Sequence, residues 1–484
     1  MLGWSLRSKV ALGLVGIAVG LVAGCGQILG LSDYHESKTL GDGGASSCDV
    51  DLATTCYPCS ATTDQQLLNA CTNGCVPFDK KRITNVLADG GLPPVPPVPE
   101  AGATDAAQTE GGALPSCLTL NANPVVIVAG TTKPYVQALA AAIFNDTAPI
   151  TVIYKGRSSC DAWATMLQGQ PVTGQASYWP GSPTESFCAL PDMGAQPDVI
   201  VADVFPSTCS QLPNGLPKDT GDFQGPVQTM EFVVPKASTQ TSITAQAAYF
   251  VYGFGGGSGV APWTDPTFIF RLDDTSGTQA IIGTGIGVPA SLWKGTNVAF
   301  SSQMVSSLSA VQSNNADKTL GILSAVNMTD QVRVAIKPLA FQHYGQACAY
   351  YPDSSETSKD KRNVRDGHYA LWGPVHLSTK LDGGGFPLKQ NAKRIIDTLT
   401  GSSPAPKGLD LIETEALNSL VPTCAMHVAR GAEVGPMKLA TSPTPCGCYF
   451  ELKAAGATSC KTCGTPADCP ASAPTCSFGY CEAQ

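Results

Sequence analysis

Small hydroxyl residues gather at three points of this 484-residue chain, each where an apolar run gives way to a segment of different spacing: Gly130-Thr131-Thr132, Gly156-Arg157-Ser158-Ser159 and Thr275-Ser276-Gly277-Thr278. At the start of a helix the first backbone N–H groups lack an intrahelical partner, and a Ser or Thr there adds a hydroxyl. Taken singly, each turn is a helix cap. Converging on one cleft, the three would surround a small oxyanion with donors and the positive ends of helix dipoles, with little need for net positive charge. Arg271 would add one charge-assisted fork. Asp203, closing an apolar run, would accept from a protonated oxyanion and reject a fully deprotonated one.

Signatures of bond-breaking chemistry are missing from the sequence. There is no Gly-x-Ser-x-Gly elbow, no His-Glu-x-x-His and no phosphate-loop lysine motif. The five histidines (His35, His343, His368, His376 and His427) are scattered, and His368 and His376 flank an aromatic stretch that reads as loop. Gly253 to Gly259 is glycine-rich but lacks the spacing of a dinucleotide cradle, and reads as a flexible loop. Asp273 and Asp274 are adjacent, so in an extended chain they face opposite ways and make a poor acid/base pair. The expectation is a protein that binds without catalysis, cofactor or metal.

The elements that hold these turns are strands and helices in alternation. Pro124 to Gly130 reads as a buried strand, followed by a helix from Pro134 to Phe144 with proline at its start. Ile150 to Tyr154 reads as a second strand, with a helix from Asp161 to Gln168 after it, and Asp198 to Asp203 as a third strand. This pattern implies an α/β fold with largely parallel strands and a ligand site at their carboxyl ends.

Charged residues are 14% of the chain and hydrophobic residues 43%, with 50 Gly, 37 Pro and a formal net charge of −9. No basic cluster breaks the acidic balance, so nucleic acid and anionic membrane surfaces are poor partners. Arg7 and Lys9 precede an apolar or glycine run of 13 residues, Val10 to Val22, too short to span a bilayer comfortably. It ends in Val22-Ala23-Gly24-Cys25, which resembles the bacterial lipobox. Residues 1–24 therefore read as a lipoprotein signal peptide, and Cys25 as the lipidated residue that supplies the only membrane contact. Gly26, in place of Asp, leans towards the outer membrane.

Of 19 cysteines, 18 remain once Cys25 is set aside, an even number for an oxidising compartment. Cys56-x-x-Cys59 and Cys460-x-x-Cys463 have the spacing of zinc half-sites, but no matched histidines accompany them, so disulfides are the expectation. Residues 25–87 and 426–484 read as Cys-rich modules, 88–119 as a Pro/Gly/Ala-rich linker that is extended or disordered, and 120–425 as the body.

The body resembles the phosphate-binding proteins of bacterial phosphate ABC importers, members of the type II periplasmic-binding-protein class. The resemblance rests on segments in the family's order over about 250 residues: Val126 to Thr132, Tyr154 to Ser159, Ala202 to Phe205, Tyr249 to Phe254, Arg271 through Ser276-Gly277-Thr278, and Val364 to Gly373. It implies a two-lobed α/β clamp that closes on phosphate and presents it to an ABC permease. Carried over by position, the ligand-binding residues are Thr131, Thr132, Ser158, Ser159, Asp203, Arg271, Ser276, Gly277 and Thr278. Two departures stand out. Ala202 occupies a position where the family usually has Ser, and Arg271 lies five residues before Ser276, one more than the usual spacing. The alternative is a surface lipoprotein that reuses a degenerate clamp as a binding or adhesion scaffold, which the two Cys-rich flanks favour.

Overall fold

The computed structural model describes residues 48–52, 54–97, 114–120, 124–129, 132–209, 212 and 215–483. Residues 1–24 and Cys25, expected to be a signal peptide and its lipidation site, Thr131, and residues 98–113 of the expected linker lie outside the described residues. In chain order the main strands are β1 (Pro124–Ala129), β2 (Thr151–Gly156), β3 (Gln175–Tyr178), β4 (Ser186–Ala189) and β5 (Val199–Ala202). They continue with β6 (Thr220–Pro235), β7 (Gly321–Ser324), β8 (Ile336–Pro338) and β9 (Trp372–Lys380). These form one path, β7-β6-β9-β5-β1-β2-β3-β4, with β8 also pairing β6.

Strand formation here follows from two-sided burial. Along β2, Val152 and Tyr154 belong to one apolar cluster and Ile153 to another; along β5, Val199 and Val201 face one way while Ile200 and Ala202 face the other. The first cluster is covered by α1 (Lys133–Phe144), through Tyr135, Val136, Leu139 and Ile143. The second is covered by α2 (Ser159–Leu167), through Cys160, Ala162, Trp163 and Met166. Each fully buried Val or Ile stabilises this sandwich by about 1.5–3 kcal/mol over its exposed state. A strand buried on both faces reads as a continuous apolar run, which is why β2 and β5 stand out in the sequence.

The expected largely parallel sheet is corrected to a mixed one. Only β1 with β2 and β1 with β5 pair in parallel, and the other six pairings are antiparallel. The reason is the two-lobed plan. Residues 220–229 of β6 pair with β9 in lobe one, whereas residues 230–235 pair with β7 and β8 in lobe two. The chain leaves lobe one along β6 and returns along β9, so the two crossing strands run in opposite directions. They meet where the Met230 N–H donates to Leu371 O at 2.9 Å.

Lobe two carries α3 (Ala245–Phe254) and α4 (Gly277–Ile286), both rich in buried residues. Nine disulfides use all eighteen described cysteines. The two Cys-x-x-Cys motifs do not close on themselves: Cys56 pairs with Cys71 and Cys59 with Cys48, while Cys460 pairs with Cys448 and Cys463 with Cys476. Cys75–Cys348 staples the N-terminal segment to the body. The described start of the Pro-rich stretch lies along lobe two, where Tyr249 Oη donates to Pro93 O at 2.5 Å and Lys294 Nζ to Pro97 O at 3.1 Å. No helix among the described residues is long and apolar enough to cross a membrane.

Candidate functional site

The carboxyl ends of β5, β1 and β2 lie side by side, with Ala129 in register with both Val201 and Gly156. The segments that follow them therefore rise from one edge of the sheet, at the strand spacing of about 4.8 Å. After β1 comes Thr132, the residue preceding α1, fully buried. Its Oγ1 makes no capping bond and has no hydrogen-bond partner among the described residues. After β2 comes Ser158, whose Oγ accepts the Asp161 N–H at 3.3 Å and so starts α2. Ser159 is buried beside it. Its Oγ donates to Asp203 Oδ2 at 3.2 Å and accepts the Asp203 N–H at 3.1 Å. Asp203, at the end of β5, is thus held by the first turn of α2.

Lobe two supplies the third turn. Ser276 caps α4 by accepting the Gln279 N–H at 3.5 Å. Gly277 packs directly on lobe one: a Cβ added there would lie 2.4 Å from Ser159 Oγ, 2.9 Å from Ser159 Cβ and 3.0 Å from Asp203 Cβ. Only glycine permits this approach. The Cys160 N–H donates to Thr275 O at 3.1 Å, a further bond between the lobes. Thr278 follows, fully buried, and its Oγ1 has no hydrogen-bond partner among the described residues. The second and third turns meet at Asp203, and Thr132 lies on the same sheet edge. The lobes are shut on each other.

Arg271 does something other than the expected fork. Its Nη1 donates to Leu272 O and to Asn297 Oδ1, both at 3.1 Å, so one prong is spent within lobe two.

Three further side chains at this edge were not among the expected ligand-binding residues. Tyr154, near the end of β2, is buried, and burial first, then Asp203, raise its hydroxyl well above the ordinary tyrosine range. His376 sits within β9, opposite Ala202, and not beside a loop. It is fully buried, with Nδ1 at 2.8 Å from Asp222 Oδ2 and the Phe205 ring edge-on at 4.3 Å. Glu433 arrives from the C-terminal region, where Oε1 accepts the Phe205 N–H at 3.0 Å and Oε2 has no partner among the described residues. Burial pushes Glu433 up to about 7, and Asp203 adds to the rise. Its surroundings, Gly431-Ala432-Glu433-Val434-Gly435, have no periodicity or motif from which this placement could be read.

The arrangement brings two buried hydroxyls together with the starts of α2 and α4, and Arg271, although its Nη1 is taken within lobe two, keeps its buried Nε without a hydrogen-bond partner among the described residues. Two buried hydroxyls, and the first-turn N–H groups of α2 and α4 that Ser158, Ser276 and Thr275 do not already take, can donate to an anion once the lobes part, whereas in α1 Pro134 has no N–H and the Tyr135 N–H is taken by Thr132 O. A separate cleft of about 320 Å³ lies along α4, lined by Thr208 from lobe one and Asp274, Thr284, Pro289 and Ser291 from lobe two.

No protein-family model matches the chain, and no curated protein matches it. Among solved structures, a Clostridium perfringens protein assigned as a phosphate ABC transporter substrate-binding protein, with bound phosphate, is 14% identical with a TM-score of 0.42, over 62% of this chain and 100% of that one. An ABC-type phosphate transport receptor from Vibrio cholerae is 14% identical with a TM-score of 0.41, over the same shares. A reduced form of OxyR from N. meningitidis is 6% identical with a TM-score of 0.34, over 58% of this chain and 96% of that one.

Proposed function

We propose that this chain is a lipid-anchored extracytoplasmic solute-binding protein whose lobes close on a small oxyanion, phosphate foremost, for ABC-type uptake. No covalent step is involved. Thr132 and Thr278 donate from opposite lobes, Asp203 accepts from a protonated oxygen, and the N–H groups behind Ser158 and Ser276 complete the shell. The supporting observation is the pair of fully buried hydroxyls, Thr132 and Thr278, left without partners at two helix starts. A buried hydroxyl without a hydrogen bond costs about 1–3 kcal/mol, so an anion that takes both bonds is stabilised. Cys25 would carry the lipid, with the outer membrane as its destination.

Two observations favour the scaffold reading instead. Gly277 meets Ser159 and Asp203 with no space between them, and Arg271 is engaged at Asn297, as in a clamp that has lost its ligand. Thermal unfolding in rising phosphate separates the two. A ligand that binds only the folded state at 100 times its Kd adds about 2.7 kcal/mol of stability, so the midpoint climbs with phosphate and not with a neutral sugar. A midpoint indifferent to phosphate and sulfate supports the scaffold.

A further inference from the structure

We propose that the hairpin of residues 424–446 is an internal brace that holds the two lobes together at their hinge, and that its tip must withdraw before the cleft opens. The hairpin is closed at its base by Cys424–Cys446. Its arms, β10 (Val428–Ala429) and β11 (Lys438–Leu439), pair antiparallel, and the Ala440 N–H donates to His427 O at 2.9 Å.

The tip touches lobe one, lobe two and the crossing between them. In lobe one, Glu433 takes the Phe205 N–H directly after the Asp203 turn. At the crossing, Arg430 Nη1 donates to Ala370 O at 3.0 Å while its guanidinium lies 3.6 Å from the centre of the Trp372 ring. In lobe two, Val434 packs on the core cluster beside α4, its Cγ2 lying 3.7 Å from where a Cβ on Gly285 would sit. A rigid hinge rotation cannot keep all three contacts, because Phe205 and Gly285 move apart as the lobes part.

Two further observations fit a part held under load. Val434 has φ 49°, a left-handed backbone that β-branched residues rarely adopt, and such a conformation persists only where the surroundings fix it. The Met437 N–H donates to Asp64 Oδ1 at 2.8 Å, tying the hairpin to the N-terminal segment that Cys75–Cys348 fastens to the body. Brace, N-terminal segment and lobe two are thus linked.

The brace rests on the two-lobed arrangement and not on any ligand, so its test is made without anion. Amide hydrogen exchange is followed in the full chain at Met230, in the crossing, and at Val152 to Tyr154, deep in lobe one. In an Arg430→Ala/Glu433→Ala variant the Met230 amide is expected to exchange about tenfold faster, with Val152 to Tyr154 unchanged. Val434→Gly, which relieves the left-handed strain while removing the packing beside α4, is expected to fold and to give the same pattern at about threefold. Unchanged exchange at Met230 in Val434→Gly, or equal acceleration at Val152 to Tyr154, would overturn the brace.

Discussion

Ser159 and Asp203 satisfy each other twice: the serine hydroxyl donates to the aspartate carboxylate at 3.2 Å and accepts the aspartate N–H at 3.1 Å. The first turn of α2 thereby fixes the carboxylate that faces lobe two. Ser159→Ala leaves a buried N–H without this acceptor, so it is expected to destabilise the protein by about 1–3 kcal/mol in urea unfolding. Ser158→Ala, which removes a half-exposed cap, is expected to cost about 1 kcal/mol.

Gly277→Ala tests how tightly the lobes meet. The added methyl collides with Ser159 and Asp203, which are held by their mutual hydrogen bonds and cannot turn aside. The expected loss is about 1–3 kcal/mol, as for overpacking of a close-packed interior. Gly257→Ala is the control: nothing lies within 4 Å of its added Cβ. Its urea midpoint is expected to stay near that of the parent.

Arg271 and Thr278 are expected to contribute unequally to anion affinity. With one prong of its guanidinium bound at Leu272 and Asn297, Arg271→Ala should leave phosphate affinity within about threefold. Thr278→Ala removes a donor aimed from a helix start, and a hydrogen bond to a charged group contributes about 1.5–3 kcal/mol, or roughly 10- to 100-fold in Kd. Equal losses from both, measured by calorimetric titration, would return Arg271 to the site.

The pH dependence of stability has a definite sign. Burial pushes Glu415 up to about 8 despite the nearby Tyr135 hydroxyl. The folded chain keeps that proton while the unfolded chain releases it above the ordinary value near 4.5. Stability therefore falls as pH rises from about 4.5 to about 8 and levels off beyond. Glu415→Gln removes this loss, so it is expected to gain on the order of 4 kcal/mol relative to the parent between pH 4.5 and pH 8.5. Urea midpoints at the two pH values give the answer.

The strands β1, β2 and β5 were legible in the sequence to within about two residues because each carries a run of apolar residues, which in β2 and β5 is buried on both faces. The caps Ser158 and Ser276 were legible for a local reason, a hydroxyl just ahead of a helix. What local pattern cannot carry is long-range return. Nothing around Trp372 announces that β9 inserts antiparallel between β5 and β6, and that insertion turned an expected parallel sheet into a mixed one. Likewise β6 contains Gly221, Gly225 and Pro226, yet continues because its halves serve different lobes. Disulfide partners were beyond reach for the same reason, as Cys75 and Cys348 stand 273 residues apart. Glu433 was missed because its residue types are ordinary and only the hairpin delivers them to the hinge.

The most direct measurement is calorimetric titration of the folded, phosphate-stripped protein with phosphate, sulfate and a neutral sugar. The expected result is one phosphate bound per chain, weaker or absent binding of sulfate because Asp203 needs a protonated oxygen to pair with, and no response to sugar. A folded protein that gives no heat with either anion, and none after the Val434→Gly change, would contradict the anion-binding reading.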